Sequence, residues 1–389
     1  MKNLNKEVDV FNIINKSRVT YFYNEFIIKM FRDKERKPLL QQIKELYLLA
    51  RAIKYWPHNY FKYDGYKKNK SLDEVKLYST GLLFGDFRQK CLNDSRYTVF
   101  ADDKFLFHKL MSDSNIPTAK LINVISHNIY THESTGLNGI SAEAILDSIT
   151  VNAIVIKPVI DSSQGVGVNV INVNVDAVKK FEISGVSYTS AELLNKIFAE
   201  SPCGYLIEEK IQQHSFNQHL YPESVNTIRV DSLLSKTSEV IINSAYLRIG
   251  RNGRKVDNWS GKAGGIGVNV NIQTGDLSSQ GIDYCKNLYS EHPDSGVSFS
   301  GLEVPYWDEI INIVKEAALQ FPNLKSLGWD IALTENGPLI LEVNADYDIL
   351  AQQTCTQAFG KNNLFYSELI SYSENTEYFK HYAINHQHL

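Results

Sequence analysis

The chain has 389 residues, of which 43% are hydrophobic and 22% are charged, and its formal net charge is −4. This composition is typical of a globular protein of two or three domains. The negative net charge argues against a general nucleic-acid binder and leaves local basic patches as the alternative. No segment approaches the ~20 apolar residues of a transmembrane helix. The four cysteines are widely spaced and form no zinc-type pair, so reduced thiols and a cytoplasmic location are expected.

The N-terminal region, residues 1–100, is predicted to be helical and irregular. Apolar residues recur at helical spacing in 19–31 and 39–53. No glycine-rich strand–turn–helix pattern occurs, so a dinucleotide-binding half is not expected. The first forty positions carry many lysines and arginines among aromatic residues. This pattern favours a solvated helix face, with a membrane-surface or partner-binding face as the alternative.

The middle of the chain changes from helical to β patterning. Residues 101–124 predict a helix capped by Asp102 or Asp103, then a turn at Pro117 and a short strand. Residues 153–159 have the apolar composition of a buried strand, and a loop rich in glycine and serine follows at 161–167.

Further along, helical and strand periods alternate. The pattern predicts helices at 190–200 and 306–321, and strands at 204–211, 226–234, 239–249 and 266–272. Together these elements predict an α+β protein with mixed or antiparallel sheets and helices on one side.

Residues 328–346 predict a β-hairpin around an Asn-Gly turn at 336–337. Glu342 and Asn344 are two positions apart and face the same side of the strand, and pairing brings Asp330 alongside them. Two carboxylates and an amide on an apolar face are costly to bury unpaired, and such oxygen ligands suit Mg²⁺. The alternative is an edge hairpin with acidic residues in solvent.

Other charged residues lie at the ends or in the interior of predicted strands. Lys157 precedes the glycine- and serine-rich loop, whose N–H groups can surround phosphate; the loop has no Walker sequence, and ordinary turn formation is the alternative. Glu208 and Glu209 either face solvent at a strand end or form a nucleotide hinge. Arg229 interrupts an apolar strand and needs an anion, either Asp330 or Glu342 as an ion pair or a transferring phosphoryl group.

Five segments in order resemble the sugar-transfer associated branch of the ATP-grasp superfamily. They are AIVIKPVIDSSQGVGV, YLIEEKIQQH, SVNTIRVDSLL, DNWSGKAGGIGV and GWDIALTENGPLILEVN. The resemblance implies an ATP-grasp fold in which two α+β lobes enclose ATP. The implied organisation is a helical region (1–100), a first lobe with the phosphate loop (101–210), a second lobe with the metal site (211–360) and a tail (361–389).

The resemblance also implies roles for individual residues. Lys104 and Lys157 look like phosphate-binding lysines, and Arg229 looks like the arginine that meets the transferred phosphoryl group. Lys157 and Asn226 are expected to act with Arg229 in catalysis. The remaining nucleotide-binding positions are Ser162, Ser163, Gln164, Gly165, Val166, Glu208, Glu209, Ile211 and His214. The implied ligands of one or two Mg²⁺ ions are Asp330, Glu342 and Asn344.

The activity implied by the resemblance is an ATP- and Mg²⁺-dependent carboxylate–amine ligase with an acyl-phosphate intermediate. Its substrates would be a sugar acid and an amino acid or other amine of surface polysaccharide synthesis, and enzymes of that synthesis are candidate partners. One alternative is a kinase acting on a sugar or polyol hydroxyl, with His214 or Asp257 as the base. The other is a nucleotide-binding scaffold of low turnover for a glycosyltransferase. The Rossmann-like start of many ATP-grasp enzymes is missing, which leaves the acceptor open.

Overall fold

The computed structural model describes residues 27–53, 56–79, 81–127, 134–160, 167–174, 179–200, 204–261 and 264–373. The chain divides into two compact units. The described parts of 1–86 and 358–389 form the first unit, and those of 87–357 form the second. The domain boundaries expected from the sequence stay predictions.

The helices are given in chain order. They are α1 (Ile28–Arg32), α2 (Leu39–Ile53), α3 (His58–Lys62), α4 (Leu72–Lys76), α5 (Gly81–Phe87), α6 (Val99–Asp102), α7 (Lys104–Asp113), α8 (Ala142–Ser148), α9 (Ser190–Glu200), α10 (Ser215–Leu220), α11 (Trp307–Leu319), α12 (Ile349–Cys355) and α13 (Asn363–Ser371). A π-helical turn at Arg88–Leu92 follows α5 directly. Among the described residues, no helix combines the length and the apolarity that crossing a membrane requires.

The strands belong to two sheets of the second unit. They are β1 (Leu121–His127), β2 (Ser134–Gly136), β3 (Ala153–Pro158), β4 (Asn169–Asn174), β5 (Lys180–Ile183), β6 (Val186–Tyr188), β7 (Tyr205–Glu209), β8 (Thr227–Leu234), β9 (Val240–Ile249), β10 (Ile266–Val270), β11 (Leu277–Ile282), β12 (Leu288–Tyr289), β13 (Ser326–Thr334) and β14 (Gly337–Asn344).

The first sheet has the order β2-β1-β7-β3-β4-β5-β6, and the second has the order β12-β11-β10-β9-β8-β13-β14. Neighbouring strands in both sheets pair antiparallel. Apolar residues of α8 and α9 belong to the core of the first sheet, and those of α11 belong to the core of the second. The α+β prediction with antiparallel sheets is therefore confirmed.

The first unit is helical, as the sequence predicts for the N-terminal region. Its core contains Met30, Leu49, Tyr60, Phe61, Tyr66 and Val75. Ser71 and Glu74 form a capping box at the start of α4, where each side chain binds the backbone N–H of the other residue. The predicted apolar period at 19–31 lies mostly outside the described residues.

Helix α7 begins where the sequence predicts a cap. The Asp103 carboxylate accepts hydrogen bonds from the backbone N–H groups of Phe105 and Leu106, both at 2.9 Å. Asp103 rather than Asp102 is therefore the cap. The backbone N–H of Lys104 donates to the Val159 carbonyl at 2.9 Å, which ties the start of α7 to the end of β3.

Candidate functional site

A cavity of about 800 Å³ in the second unit is lined by residues of both sheets. Its volume lies in the range of about 300–1,000 Å³ that small-molecule sites occupy. The first sheet contributes Lys157 on β3 and Glu208 on the adjacent β7, and the second contributes Arg229, Asp330 and Glu342. Charged residues far apart in the sequence therefore face one space.

The first-sheet side of the cavity holds a buried charged cluster. The Lys157 Nζ lies 2.8 Å from Glu208 Oε1, and His108 Nε2 lies 2.6 Å from the same oxygen. Burial raises the pKa of Glu208, but Lys157 and His108 outweigh burial and hold that pKa below its ordinary value. Glu208 therefore stays ionised and fixes Lys157. The contribution of His108 was not expected from the sequence, because its position in α7 shows no relation to β7.

Lys104 is only 9% exposed and lines the same cavity. Burial lowers the pKa of Lys104; Glu342 opposes this shift and Lys157 adds to it. Lys104 thus lies within electrostatic reach of both the first-sheet cluster and the carboxylates of the second sheet. The two lysines predicted to bind phosphate line the same cavity, although phosphate binding itself stays a prediction.

The predicted nucleotide hinge lies on the cavity wall. Glu208, Glu209 and Ile211 all line the cavity. The Glu209 carboxylate points further outward, with its side chain 31% exposed and Oε1 2.5 Å from Lys120 Nζ. The two adjacent glutamates therefore have different environments, and only the Glu208 carboxylate takes part in the buried cluster with Lys157 and His108.

One row of paired residues crosses the second sheet on its cavity face. Glu342 on β14 pairs with Asp330 on β13, Asp330 pairs with Arg229 on β8, and Arg229 pairs with Tyr246 on β9. Directly paired residues project to the same face of a sheet. All four line the cavity, so the register of the strands assembles this part of the site.

Two arginines hold the Asp330 carboxylate. Arg229 donates to both carboxylate oxygens, with Nη2 3.0 Å from Oδ2, and Arg248 Nη2 lies 2.9 Å from Oδ2. Burial alone would raise the pKa of Asp330, but Arg229 and Arg248 overcome it and the pKa lies well below its ordinary value. Of the two ion-pair partners that the sequence suggests for Arg229, the structure shows Asp330. Arg248 was not predicted as a site residue, although it interrupts the apolar pattern of its strand as Arg229 does.

Glu342 and Asn344 complete the predicted cation site. Burial and the Asp330 charge raise the pKa of Glu342, and Asn344 Nδ2 lies 3.4 Å from Glu342 Oε1. Within the described ranges, no group of three or more His, Cys, Asp or Glu residues forms a metal site. Two carboxylates and an amide oxygen nevertheless fit Mg²⁺, because a cation offsets the repulsion that helps raise the pKa of Glu342.

Three donor atoms on the cavity face have no protein acceptor in the described part of the chain. They are Nη1 of Arg229, Nη1 of Arg248 and the hydroxyl of Tyr246. Tyr246 is 3% exposed, and its hydroxyl oxygen keeps a small surface that is accessible from the cavity. Burial raises the pKa of Tyr246, so the hydroxyl stays protonated. The three groups are therefore available to an oxyanion in the cavity.

Asn226 and His214 lie beside this site, outside the described cavity lining. Asn226 is fully buried; its Nδ2 donates to the Tyr221 carbonyl at 2.7 Å and its Oδ1 accepts from Gly250 N–H at 3.1 Å. His214 Nδ1 accepts from Phe216 N–H at 3.0 Å and caps α10. The contacts of Asn226 hold the backbone that leads into β8, and that of His214 holds the start of α10; the predicted catalytic and nucleotide-binding roles stay predictions.

The predicted phosphate loop (161–167) lies outside the described residues at 161–166, a range that includes the predicted nucleotide-binding positions Ser162, Ser163, Gln164, Gly165 and Val166. Gly167 at its end has a φ of 76°, a conformation that side chains rarely adopt. A Cβ there would approach Pro158 Cγ to 2.8 Å. Glycine is thus required where the loop joins β4, and the loop's role in binding phosphate stays a prediction.

Comparisons with solved structures give distant similarities. D-alanine–D-alanine ligase from Helicobacter pylori is 15% identical with a TM-score of 0.41, covering 74% of this chain and 62% of that one. Biotin carboxylase from Campylobacter jejuni is 12% identical with a TM-score of 0.43, covering 72% and 48%. VanG D-Ala:D-Ser ligase from Enterococcus faecalis is 14% identical with a TM-score of 0.41, covering 72% and 64%. This chain spans less than two thirds of each of these proteins, and similarities this distant assign no activity.

A comparison with curated proteins gives no match. The family model described as sugar-transfer associated ATP-grasp matches residues 86–363. The matched region contains both sheets and the residues that line the cavity. Because the match covers more than half of the 389 residues, the chain belongs to the sugar-transfer associated ATP-grasp family.

Proposed function

We propose that this protein is an ATP- and Mg²⁺-dependent ligase that joins a carboxylate to an amine through an acyl phosphate. The observation that carries the proposal is the convergence of Lys104, Lys157 and Arg229 with the facing carboxylates Asp330 and Glu342 in one cavity. Phosphoryl transfer depends on positioning and charge neutralisation, which cationic side chains and oxygen ligands for a metal can provide.

Each group has a task in this proposal. Lys157, held by Glu208, and Lys104 neutralise the oxygens of the triphosphate. Asp330, Glu342 and Asn344 would hold Mg²⁺, which when bound neutralises triphosphate charge and orients the γ-phosphate. The donor atoms of Arg229, Arg248 and Tyr246 that have no protein acceptor among the described residues hold the oxygens of the phosphoryl group and the carboxylate.

The proposed reaction has two transfers. A carboxylate oxygen attacks the γ-phosphorus of ATP, the bond to the β-phosphate oxygen breaks, and ADP leaves. The amine nitrogen then attacks the acyl carbon, the bond from that carbon to the phosphate oxygen breaks, and inorganic phosphate leaves with an amide formed. Neither step needs a nucleophilic side chain, but both need bound, oriented reactants and exclusion of water.

The proposed substrates are a sugar acid and an amino acid or similar amine of surface polysaccharide synthesis. The description of the family as sugar-transfer associated supports this choice. Enzymes of that synthesis are the proposed partners, and the cytoplasm, which supplies ATP, is the proposed location.

The contacts of the candidate bases disfavour the kinase alternative. Asp257 Oδ2 accepts from Thr227 N–H at 2.9 Å and lies 3.5 Å from Arg248 Nε. His214 accepts from a backbone N–H with one ring nitrogen, and its other nitrogen lies 3.3 Å from Glu335 Oε2. Asp257 lines the cavity, but Thr227 and Arg248 engage its Oδ2, and both ring nitrogens of His214 are engaged; deprotonating a sugar hydroxyl needs a base that is free to accept the proton.

The test is an ADP-release screen of uronic acids paired with amino acids, with mass spectrometry of the products. We expect ADP and inorganic phosphate, formed together with an amide and dependent on both substrates. AMP and pyrophosphate would contradict the acyl-phosphate route. A phosphorylated sugar without an amide would favour the kinase, and absence of turnover with every pair would favour a scaffold.

A further inference from the structure

Helix α2 (Leu39–Ile53) in the first unit buries Leu49 in the core, but it also buries two polar residues and exposes three large apolar ones. Gln42 is 1% exposed and Glu45 is 8% exposed, whereas Leu40, Ile43 and Tyr47 are 83%, 54% and 63% exposed. A helix that packs only through an apolar face would bury residues such as Leu40 and Ile43 and expose Gln42 and Glu45. The described part of the first unit therefore leaves a second group of apolar side chains of α2 uncovered.

The buried polar side of α2 is fixed by specific contacts. Lys37 Nζ lies 2.7 Å from Glu45 Oε2, and the Tyr60 hydroxyl donates to the same oxygen at 2.8 Å. Gln42 Nε2 donates to the Lys37 carbonyl at 2.7 Å. Rotating α2 to bury Leu40 would break these bonds and leave a buried charge unpaired, so the contacts of Gln42 and Glu45 keep Leu40, Ile43 and Tyr47 exposed.

Ile43 and Tyr47 follow Leu40 by three and seven positions, so the three side chains lie on one exposed side of the helix, which we name the α2 stripe. Lys44 and Arg51 border the stripe, and both are exposed. Among the described residues of α2, no exposed acidic side chain accompanies them, since Glu45 is buried against Lys37.

The charge of this region is opposite in sign to that of the chain. Residues 28–53 contain seven lysines and arginines against three acidic residues, whereas the whole chain has a net charge of −4. Two large aromatic residues near the ends of the region, Phe31 and Trp56, are 53% and 56% exposed. Leucine, isoleucine and aromatic side chains bordered by basic residues are typical of a helix lying in a membrane interface.

We propose that the α2 stripe docks on an anionic membrane surface. The helix lies parallel to that surface, with its apolar side chains among the acyl chains and Lys44 and Arg51 against phosphate headgroups. The stripe is short and only two basic residues border it, so binding is weak, reversible and sensitive to salt. This inference concerns the first unit and does not depend on the proposed ligase activity.

The test is co-sedimentation of the full chain with phosphatidylcholine vesicles, with and without phosphatidylglycerol. We expect binding to the anionic vesicles only, and weaker binding as salt is added. The triple variant Leu40→Ser/Ile43→Ser/Tyr47→Ser should lower partitioning by about tenfold or more. The pair Lys44→Gln/Arg51→Gln should weaken it without removing an apolar group. As a matched control, Leu288→Ser/Leu319→Ser exchanges exposed leucines of the second unit and should bind as the natural chain does.

Four outcomes would overturn the proposal. Two are vesicle results: no binding by the natural chain, or equal binding to neutral and anionic vesicles. The third is a lower melting temperature of the triple variant, which would show that the stripe packs on another part of the chain. The fourth is a dimer of the natural chain in sedimentation velocity that the triple substitution dissociates. ADP release is expected to be the same in the natural chain and the triple variant, so a failure here leaves the proposed ligase untouched.

Discussion

Asp330 and Glu342 face each other on β13 and β14, and their pKa values move in opposite directions. Burial opposes ionisation of both, but Arg229 and Arg248 keep Asp330 charged, and that charge adds to the rise in the pKa of Glu342. A divalent cation would offset this repulsion, which is why the pair is suited to hold Mg²⁺ beside phosphate.

Replacing Glu342 with glutamine should abolish most turnover and leave nucleotide binding largely intact. Glutamine keeps the shape but removes one of the two negative charges at the cation site, so we expect a fall in turnover of about 100-fold or more. The measurement is steady-state ADP release as Mg²⁺ is varied, with ADP affinity measured separately by calorimetry. Glu316→Gln on the exposed side of α11 is the matched control. Turnover within about twofold of the natural enzyme would remove Glu342 from the site.

Asp231 should make the protein less stable as the pH rises. Its Oδ1 accepts from Ser244 Oγ at 2.6 Å and from Gln352 Nε2 at 2.7 Å, and burial raises its pKa from 3.8 to about 6. Between these values the unfolded chain has lost the proton while the folded chain keeps it. The free energy of unfolding therefore falls as the pH rises through this window, by about 3 kcal/mol for a shift of this size.

The variant Asp231→Asn cannot ionise, so this loss of stability should disappear. Urea unfolding at about pH 4 and about pH 7 would measure the difference for each protein. An equal pH dependence in the variant and the natural protein would show that Asp231 titrates normally. An Asn243→Asp change is not a suitable control, because Asn243 Nδ2 donates to Asp231 at 2.7 Å.

Lys157→Gln should weaken nucleotide binding. Lys157 is the partner of Glu208 and lines the cavity, so its loss removes one cation and leaves Glu208 with His108 alone. We expect ADP affinity to fall by about tenfold or more, with a smaller loss of thermal stability. Calorimetric titration with ADP measures the affinity. Lys196→Gln, which breaks a surface pair with Glu200, should bind ADP as before; unchanged ADP affinity in the Lys157 variant would place the phosphates elsewhere.

Tyr246→Phe tests the available hydroxyl on the cavity face. The ring should stay in place, since it packs with Trp259, Ala351 and Cys355. Removing the donor should lower turnover by about tenfold and leave ADP affinity unchanged, because the hydroxyl is expected to bind an oxyanion beside Arg229 and not the adenosine. Initial rates at varied carboxylate concentration would show the loss. A loss confined to ADP affinity would contradict this assignment.

Local signals predicted much of the fold. The Asn-Gly turn and the alternating residues around it correctly predicted the hairpin of β13 and β14, and the alternation also predicted β8 and β9 within one residue of their ends. The sequence predicted that Asp102 or Asp103 caps α7, because a helix cap depends on residues next to the helix in the chain. The interruption of an apolar strand by Arg229 predicted a buried partner, and Asp330 is that partner.

The remaining features depend on pairing between distant segments. The contact of His108 with Glu208 joins residues 100 positions apart, and the row from Glu342 to Tyr246 depends on strand register. The pairing of β13 with β14 shifts register between Asp330 and Ile331, and the sequence pattern does not indicate this shift. Apolar spacing predicted α2 but not which side would be buried, because the Lys37–Glu45 contact decides the orientation.

The most direct test of the account is positional isotope exchange in ATP labelled with ¹⁸O at the β–γ bridge. With a carboxylate that supports ADP release, and with the amine left out, reversible phosphoryl transfer should move the bridging label to non-bridging positions of the β-phosphate, and Glu342→Gln should stop this exchange. If amide forms while the label stays in the β–γ bridge and AMP is released, the γ-phosphate is not transferred to the carboxylate, and the assigned roles of Arg229, Asp330 and Glu342 are wrong.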